Sequence, residues 1–203
     1  MRRYRKIGLA LAVAALGWPW VPAVPRAQAA TALSPMSALR QSSWIAEGSA
    51  HPRYVIYVFM DANCPYCHSL WLALRPYYRK GLQVRDILVG VISASSPGKA
   101  AAIFDASDPS AALRLNERRW GHGPDRRGGI APVAHPGRGD LRRLAYNQVL
   151  MEEFGLQGTP ALVFADGQGE VYAIRGMPAK GELPEIVRTA VVPGHGAQAK
   201  GRG

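Results

Sequence analysis

The chain has 203 residues, 48% of them hydrophobic, with 25 Lys and Arg against 14 Asp and Glu and a formal net charge of +11. That length fits one domain with a sizeable core. The basic residues are spread along the sequence, which favours a solvated surface over a nucleic-acid site, and two cysteines are too few for a disulfide framework.

The N-terminus, residues 1–29, has the pattern of a secretory signal peptide. A basic start, Met1–Lys6, is followed by an apolar run, Ile7–Leu16, and a small-residue cleavage site at Ala27–Ala29. An uncleaved anchor fits less well, because the run is shorter than the roughly 20 residues that span a membrane. We therefore expect an exported, periplasmic protein.

The predicted folded domain covers residues 51–192. A short linker and helix at 30–50 precede it, with the helix expected over Ser37–Ala46, and a flexible Gly-rich tail at 193–203 follows. Within the domain the first predicted strand is Val55–Phe59, which is rich in β-branched and aromatic residues.

Directly after this strand lies Cys64-Pro65-Tyr66-Cys67, which contains both cysteines of the chain. Apolar residues at helical spacing follow, so the motif opens a helix, as in redox-active C-x-x-C sites. The helix N-terminus stabilises a thiolate and lowers its pKa. We expect Asn63 to cap the helix, Cys64 to be the exposed nucleophile and Cys67 to be the more buried cysteine that resolves a mixed disulfide.

Three other interpretations of the motif remain open. A structural zinc site needs four ligands, and the remaining histidines show no ligand-like pairing. Cys64 to His68 matches the C-x-x-C-H pattern of c-type haem attachment, which would make the protein a mono-haem electron carrier. A purely structural disulfide would close a very small ring and constrain the unfolded chain little.

Alternating strands and helices are predicted after the motif. Pro76 is expected to end or kink the motif helix. Leu144, Val149 and Leu150 are the core positions expected on the helix at 141–154. The predicted elements are a strand at 82–92, helices over 96–120 with a second segment from Asp108-Pro109, a Gly-rich loop at 121–139, the helix at 141–154, strands at 161–164 and 170–174, and a helix at 182–191.

This order, with Thr159-Pro160 ahead of a strand, resembles the thioredoxin fold, and more closely the DsbC/DsbG-type periplasmic thiol:disulfide interchange proteins. The resemblance covers about Trp44 to Val191. It is carried by Tyr57-Val58-Phe59, Cys64-Pro65-Tyr66-Cys67, Trp71, Arg75-Pro76, Leu88–Ile92, Asn147, Leu150-Met151, Gly155, Thr159-Pro160-Ala161, Gly176 and Pro178.

The resemblance implies an α/β thioredoxin fold, a central mixed sheet flanked by helices, with a helical insertion at about 96–155. It implies that Cys64 and Cys67 are catalytic, that Pro65 and Tyr66 complete the active-site motif, and that Thr159 with a cis Pro160 binds substrate. The implied activity is disulfide exchange with exported proteins, or reduction of their sulfenic acids. It implies no cofactor beyond the Cys64–Cys67 disulfide, and a membrane redox partner that recycles it.

Two departures from the family pattern bear on function. The family's N-terminal dimerisation domain has no counterpart before Tyr54, so we expect a monomer and a poor isomerase. His68 stands where we expect a lysine in this family; it either tunes the thiolate or is simply an exposed helix residue, and the second interpretation is favoured. A DsbA-like oxidase and a non-catalytic peptide-binding module around Pro160 remain alternatives.

Overall fold

The computed structural model describes residues 2–3, 34–123 and 125–192, which form six strands and six helices. The strands are β1 (Arg2–Arg3), β2 (Trp44–Gly48), β3 (Tyr54–Met60), β4 (Leu82–Leu88), β5 (Ala161–Ala165) and β6 (Val171–Arg175). The helices are α1 (Pro35–Gln41), α2 (Pro65–Tyr78), α3 (Ser96–Phe104), α4 (Pro109–Arg118), α5 (Arg138–Glu153) and α6 (Leu183–Thr189).

The strands form one mixed sheet in the order β1-β6-β5-β3-β4-β2. Strand β3 pairs parallel with β4 and antiparallel with β5, so it lies inside the sheet. It is buried on both faces, which explains why its sequence is continuously apolar instead of alternating. The motif that follows β3 is therefore attached to the most enclosed strand of the sheet.

Side chains of β3 alternate between two hydrophobic clusters, one on each face of the sheet. Ile56 and Val58 pack with residues of α2 and α6. Tyr57 and Phe59 pack with residues of α1 and α5, and the Phe59 ring centroid lies 6.4 Å from that of Phe154. Each fully buried apolar side chain of this kind contributes roughly 1.5–3 kcal/mol, so both helical layers are held firmly to the sheet.

The helix predicted over Ser37–Ala46 is confirmed as far as Gln41, but its last residues, Trp44–Ala46, lie in strand β2. Helix α1 ends at Gln41, and the following residues pair antiparallel with β4 from Trp44 onward. Glu47 is buried in β2 and accepts a hydrogen bond of 2.5 Å from Trp71 Nε1. Because the buried position at Glu47 is polar, strand β2 lacks the alternation of apolar and polar residues by which such an edge strand is recognised from sequence.

Several predicted boundaries shift. Strand β4 ends at Leu88, and Val91 and Ile92 are exposed. Helix α2 runs past Pro76 and ends at Tyr78. Helix α5 begins at Arg138, with Gly137 as its N-cap, and Val149 is 53% exposed, so its assignment to the core is wrong.

Helices α3, α4 and α6 and strands β3, β5 and β6 lie close to where the sequence placed them, whereas β1 was not predicted as a strand. Asp108 caps α4, since its Oδ1 accepts a hydrogen bond of 2.8 Å from Ala111 N. Among the described ranges, no helix has both the length and the apolar character that crossing a membrane requires. The predicted signal peptide, apart from Arg2–Arg3 in β1, and the predicted tail lie outside the described residues.

Candidate active site

Cys64 lies at the junction of β3 and α2 and is itself the N-cap of the helix. Its Sγ accepts a hydrogen bond of 3.4 Å from Cys67 N, and Pro65 occupies the first helical turn, where a missing N–H costs little. The predicted cap, Asn63, is fully buried and its side chain is bonded elsewhere. The Cys64 sulfur therefore lies at the N-terminus of α2, where the first backbone N–H groups have no partner within the helix.

The two thiols have opposite acidities. Hydrogen bonding from Cys67 outweighs burial and, with the Thr159 side chain and backbone N–H groups, lowers the pKa of Cys64 to about 6. Burial raises the pKa of Cys67 far above its ordinary value, and the neighbouring Cys64 raises it further. At neutral pH, Cys64 is the thiolate and Cys67 the thiol.

Exposure does not separate the two cysteines, contrary to the expectation of an exposed Cys64. Each residue is only 2% exposed, and both belong to the cluster between the sheet and α2. Tyr66, between them in the motif, is 65% exposed. A substrate disulfide must therefore fit closely against the start of α2 to reach the Cys64 sulfur.

Thr159 and Pro160 lie opposite Cys64. The peptide bond between them is cis, as predicted, and Cys64 Sγ lies 3.4 Å from Thr159 O. The Thr159 hydroxyl oxygen is buried without a hydrogen-bond partner among the described residues. An ionised Cys64 gives this hydroxyl an acceptor, which stabilises the thiolate.

A fully buried lysine, Lys99 of α3, lies behind the turn that precedes Cys64. Its Nζ donates hydrogen bonds of 2.7 Å to Asn63 Oδ1, 2.7 Å to Asp125 Oδ1 and 2.8 Å to Gly128 O. Hydrogen bonds from Lys99 and Ser95 outweigh the effect of burial and lower the pKa of Asp125 to about 2. This cation ties the active-site turn to the loop after α4.

Asp61 fixes the same turn from the other side. Its Oδ1 accepts hydrogen bonds from Asn63 N and Ser96 Oγ, and its Oδ2 accepts them from Val91 N and Ile92 N. The Asn63 amide donates to a group of serine hydroxyls, those of Ser93, Ser95 and Ser96. The backbone that places Cys64 is thus held by side chains on both flanks.

His68, one residue beyond the motif, is not simply exposed. Its Nδ1 lies 2.9 Å from the Oε2 of Glu117, whose side chain is 1% exposed. Its ring is stacked on Trp120, with centroids 4.8 Å apart and planes 11° apart. A c-type haem would take this imidazole as an iron ligand, so its engagement here disfavours the haem interpretation.

A small cavity beneath α2 is lined by Cys67 and Asp86, together with apolar residues of β3 and α2. Asp86 Oδ2 is buried and has no hydrogen-bond partner among the described residues. Burial, and then the negative charges of Glu47 and Glu117, raise the pKa of Asp86 well above its ordinary value. Once ionised, Asp86 is therefore a stronger base than an ordinary carboxylate, and it lines the same cavity as Cys67.

The structure brings together the six residues predicted for the site, which are Cys64, Pro65, Tyr66, Cys67, Thr159 and Pro160. In the described part of the chain, no group of three or more His, Cys, Asp and Glu side chains is arranged to hold a metal ion. Sequence reasoning missed Asp86, Lys99 and Glu117, since each is a polar residue on an otherwise ordinary strand or helix.

Comparisons with known proteins agree with this geometry. The model of the thioredoxin-like domain family matches residues 45–190. The chain is 35% identical over 150 residues to the thiol:disulfide interchange protein DsbG of Pseudomonas aeruginosa, covering 73% of this chain and 57% of that protein. It is 31% identical to the Escherichia coli protein of that name, covering 73% of this chain and 58% of the relative.

The chain thus spans less than two thirds of the length of these relatives. Among solved structures, a periplasmic thioredoxin-like protein from Salmonella enterica serovar Typhimurium superposes with a TM-score of 0.62 at 24% identity, covering 76% of this chain and 94% of that one. This likeness confirms the predicted α/β thioredoxin fold, and the sequence matches confirm the predicted kinship with DsbG. The chain belongs to the thioredoxin-like family.

Proposed function

We propose that the protein is a periplasmic thiol–disulfide oxidoreductase that acts on exported proteins through Cys64 and Cys67. The observation that carries the proposal is the opposite acidity of the two thiols at the start of α2. Cys64, with its pKa lowered to about 6, is ionised at neutral pH, whereas burial keeps Cys67 protonated. Such a pair separates the attacking thiolate from the resolving thiol.

The exchange proceeds in two balanced steps. The Cys64 thiolate attacks one sulfur of a client disulfide, the client S–S bond breaks, and the other client sulfur leaves as a thiolate that takes up a proton. Cys67 then loses its proton and attacks the Cys64 sulfur, which releases the second client thiol. The client gains two electrons, and the protein ends with a Cys64–Cys67 disulfide.

The same thiolate can reduce a sulfenic acid on a client cysteine. Attack of Cys64 on the Cys–SOH sulfur forms a mixed disulfide and releases the hydroxyl as water after protonation, and Cys67 resolves it as before. Each turnover consumes the dithiol, so a thiol-bearing membrane partner must return two electrons. No prosthetic group is needed, because the two cysteines are the redox couple.

We propose that Thr159 and Pro160 bind the client chain. They lie against the Cys64 sulfur, and a client segment laid along Thr159 would place its disulfide at the nucleophile. We propose a monomer as the active form, in line with the expectation from the sequence. Light scattering measures the molar mass of the protein in solution, and a stable dimer would contradict this proposal.

Disulfide exchange is tested by reduction of insulin with dithiothreitol as electron source, with the Cys64→Ser, Cys67→Ser double variant as control. We expect catalysis by the wild type alone. Its rate should fall as pH drops through about 6, where Cys64 takes up a proton. A Soret band with a covalent haem mass after expression with haem-attachment machinery would contradict the proposal. The reduction potential separates a reductase from an oxidase.

Asp86 is proposed to accept the Cys67 proton in the second step, because both line one cavity. Asp86→Asn should slow release of the mixed disulfide by about 10²-fold, the lower end of general base catalysis. The same change should stabilise the protein by about 1–3 kcal/mol at pH 8, because a neutral amide replaces a buried carboxylate whose Oδ2 has no hydrogen-bond partner among the described residues.

The pH dependence of that stability has a definite sign. Because the pKa of Asp86 is raised by folding, the folded protein binds the proton more tightly than the unfolded chain. Asp86 therefore costs little stability at pH 4 and progressively more as pH rises. Urea denaturation of Asp86→Asn at pH 4 and pH 8 measures this, with the exposed Asp105→Asn as matched control. An equal effect at both pH values would refute the assignment.

A further inference from the structure

A second titratable pair, outside the cysteine motif, lies beside it. His68 follows Cys67 on α2, and its imidazole stacks on two indole rings, with centroids 4.8 Å from Trp120 and 6.2 Å from Trp71. The Nδ1 of that imidazole faces Glu117 of α4 at 2.9 Å. Two stacked rings and one hydrogen bond leave the imidazole little rotational freedom.

Glu117 has no Lys or Arg ion-pair partner among the described residues. Its Oε1 accepts a hydrogen bond of 3.0 Å from Asn116 Nδ2, and its Oε2 faces only His68. Asn116 is fixed in turn, because its amide also donates to Ala62 O, the carbonyl two residues before Cys64. The charge of this carboxyl is therefore balanced only by a proton on itself or on His68.

The charged groups around the pair come from four elements. From α2 there is the Cys64 thiolate, from β2 Glu47, from β4 Asp86, and from α4 Arg114, which pairs with Glu47 at 3.7 Å. Burial, and then the negative charges of Glu47 and Cys64, raise the pKa of Glu117 to about 8. Burial lowers the pKa of His68.

We propose that His68 and Glu117 form a positioning pair that holds one proton beside the Cys64 thiolate, so that a change in the state of the pair changes the reactivity of the nucleophile. This inference rests on the proposed exchange function. With its proton, whether on Glu117 or on His68, the pair is neutral overall. Without the proton it carries one negative charge close to the thiolate.

Coupling between the two sites is reciprocal. If the Cys64 thiolate makes the pair hold its proton more tightly, then loss of that proton must make the thiolate more basic by the same free energy. A more basic thiolate is a stronger nucleophile, with a Brønsted coefficient of about 0.4–0.5, so each pKa unit gained by Cys64 raises its rate about threefold. Oxidation of Cys64 should conversely release the proton more easily.

Alkylation of reduced protein by iodoacetamide tests the pair without requiring catalysis. The wild-type rate should rise near pH 6 as Cys64 ionises, level off, and rise again by about threefold near pH 8 as the pair loses its proton. Glu117→Gln cannot make the second step and should show the first alone. The exposed Glu185→Gln serves as matched control and should keep both steps.

NMR titration of the His68 imidazole gives a second readout that does not depend on how well Glu117→Gln folds. The His68 signals should sense loss of the proton from Glu117, whose pKa is raised to about 8, and the midpoint of that change should fall in the Cys64→Ser variant, which has no thiolate charge. A single-step alkylation profile in the wild type, or an unchanged His68 midpoint in Cys64→Ser, would overturn the inference. Two-step alkylation in a protein that fails to reduce insulin would instead refute the exchange function and leave the pair intact.

Discussion

Cys67→Ser is expected to capture client proteins as stable mixed disulfides, whereas Cys64→Ser should lose exchange completely. The difference follows from the acidity of the thiols. Cys64 has its pKa lowered to about 6 by hydrogen bonds from Cys67, from Thr159 and from backbone N–H groups, so it attacks first. Without the Cys67 sulfur the mixed disulfide formed in that step has no internal nucleophile to break it.

The measurement is non-reducing electrophoresis of periplasmic extracts, with mass spectrometry of the captured adducts. Cys67→Ser should give bands that collapse on reduction and whose linked peptide contains Cys64. The double cysteine variant is the control and should give none. Adducts linked through Cys67 in a Cys64→Ser protein would reverse the assignment of nucleophile and resolving thiol.

The parts of the site that could be predicted from sequence are those coded by local pattern. The continuous apolar run of β3, the Cys64–Cys67 spacing and the helix after it lie within one short stretch of chain. Thr159-Pro160 ahead of β5 is equally local, although its place opposite Cys64 follows only from the antiparallel pairing of β3 with β5. Family resemblance supplied the substrate-binding role of Thr159 and Pro160, which spacing could not.

The missed features depend on contacts between distant residues. Glu47 is buried because Trp71 and Arg114, from two different helices, satisfy its carboxyl. Val149 has helical spacing for the core but lies on a face of α5 that the described part of the chain leaves largely exposed. The His68 side chain contacts Glu117 and Trp120, and both of these residues belong to the helical insertion. No window of sequence contains both halves of these contacts.

Lys99 is the clearest such case and gives the prediction with the largest effect on stability. From sequence alone, a lysine in the Ala-rich helix α3 would be expected to be exposed to solvent. Lys99 is instead fully buried, and its ammonium donates hydrogen bonds to Asn63, Asp125 and Gly128. Lys99→Met leaves three acceptors without their donor, one of them a carboxylate. Asp125 is exposed and stays solvated, but Asn63 Oδ1 and Gly128 O are buried, and each buried acceptor left without its donor costs about 1–3 kcal/mol.

That loss is a large part of the roughly 5–15 kcal/mol by which a domain is stable, so the urea midpoint of Lys99→Met should fall sharply. Lys180→Met, at an exposed position, is the matched control and should leave the midpoint nearly unchanged. If Lys99→Met is as stable as the control, the ammonium is not the link between α3 and the active-site turn.

Because Asn63 directly precedes Cys64, the folded fraction of Lys99→Met should also alkylate more slowly than wild type at pH 7, as the turn that places the thiolate on the N-terminus of α2 loosens.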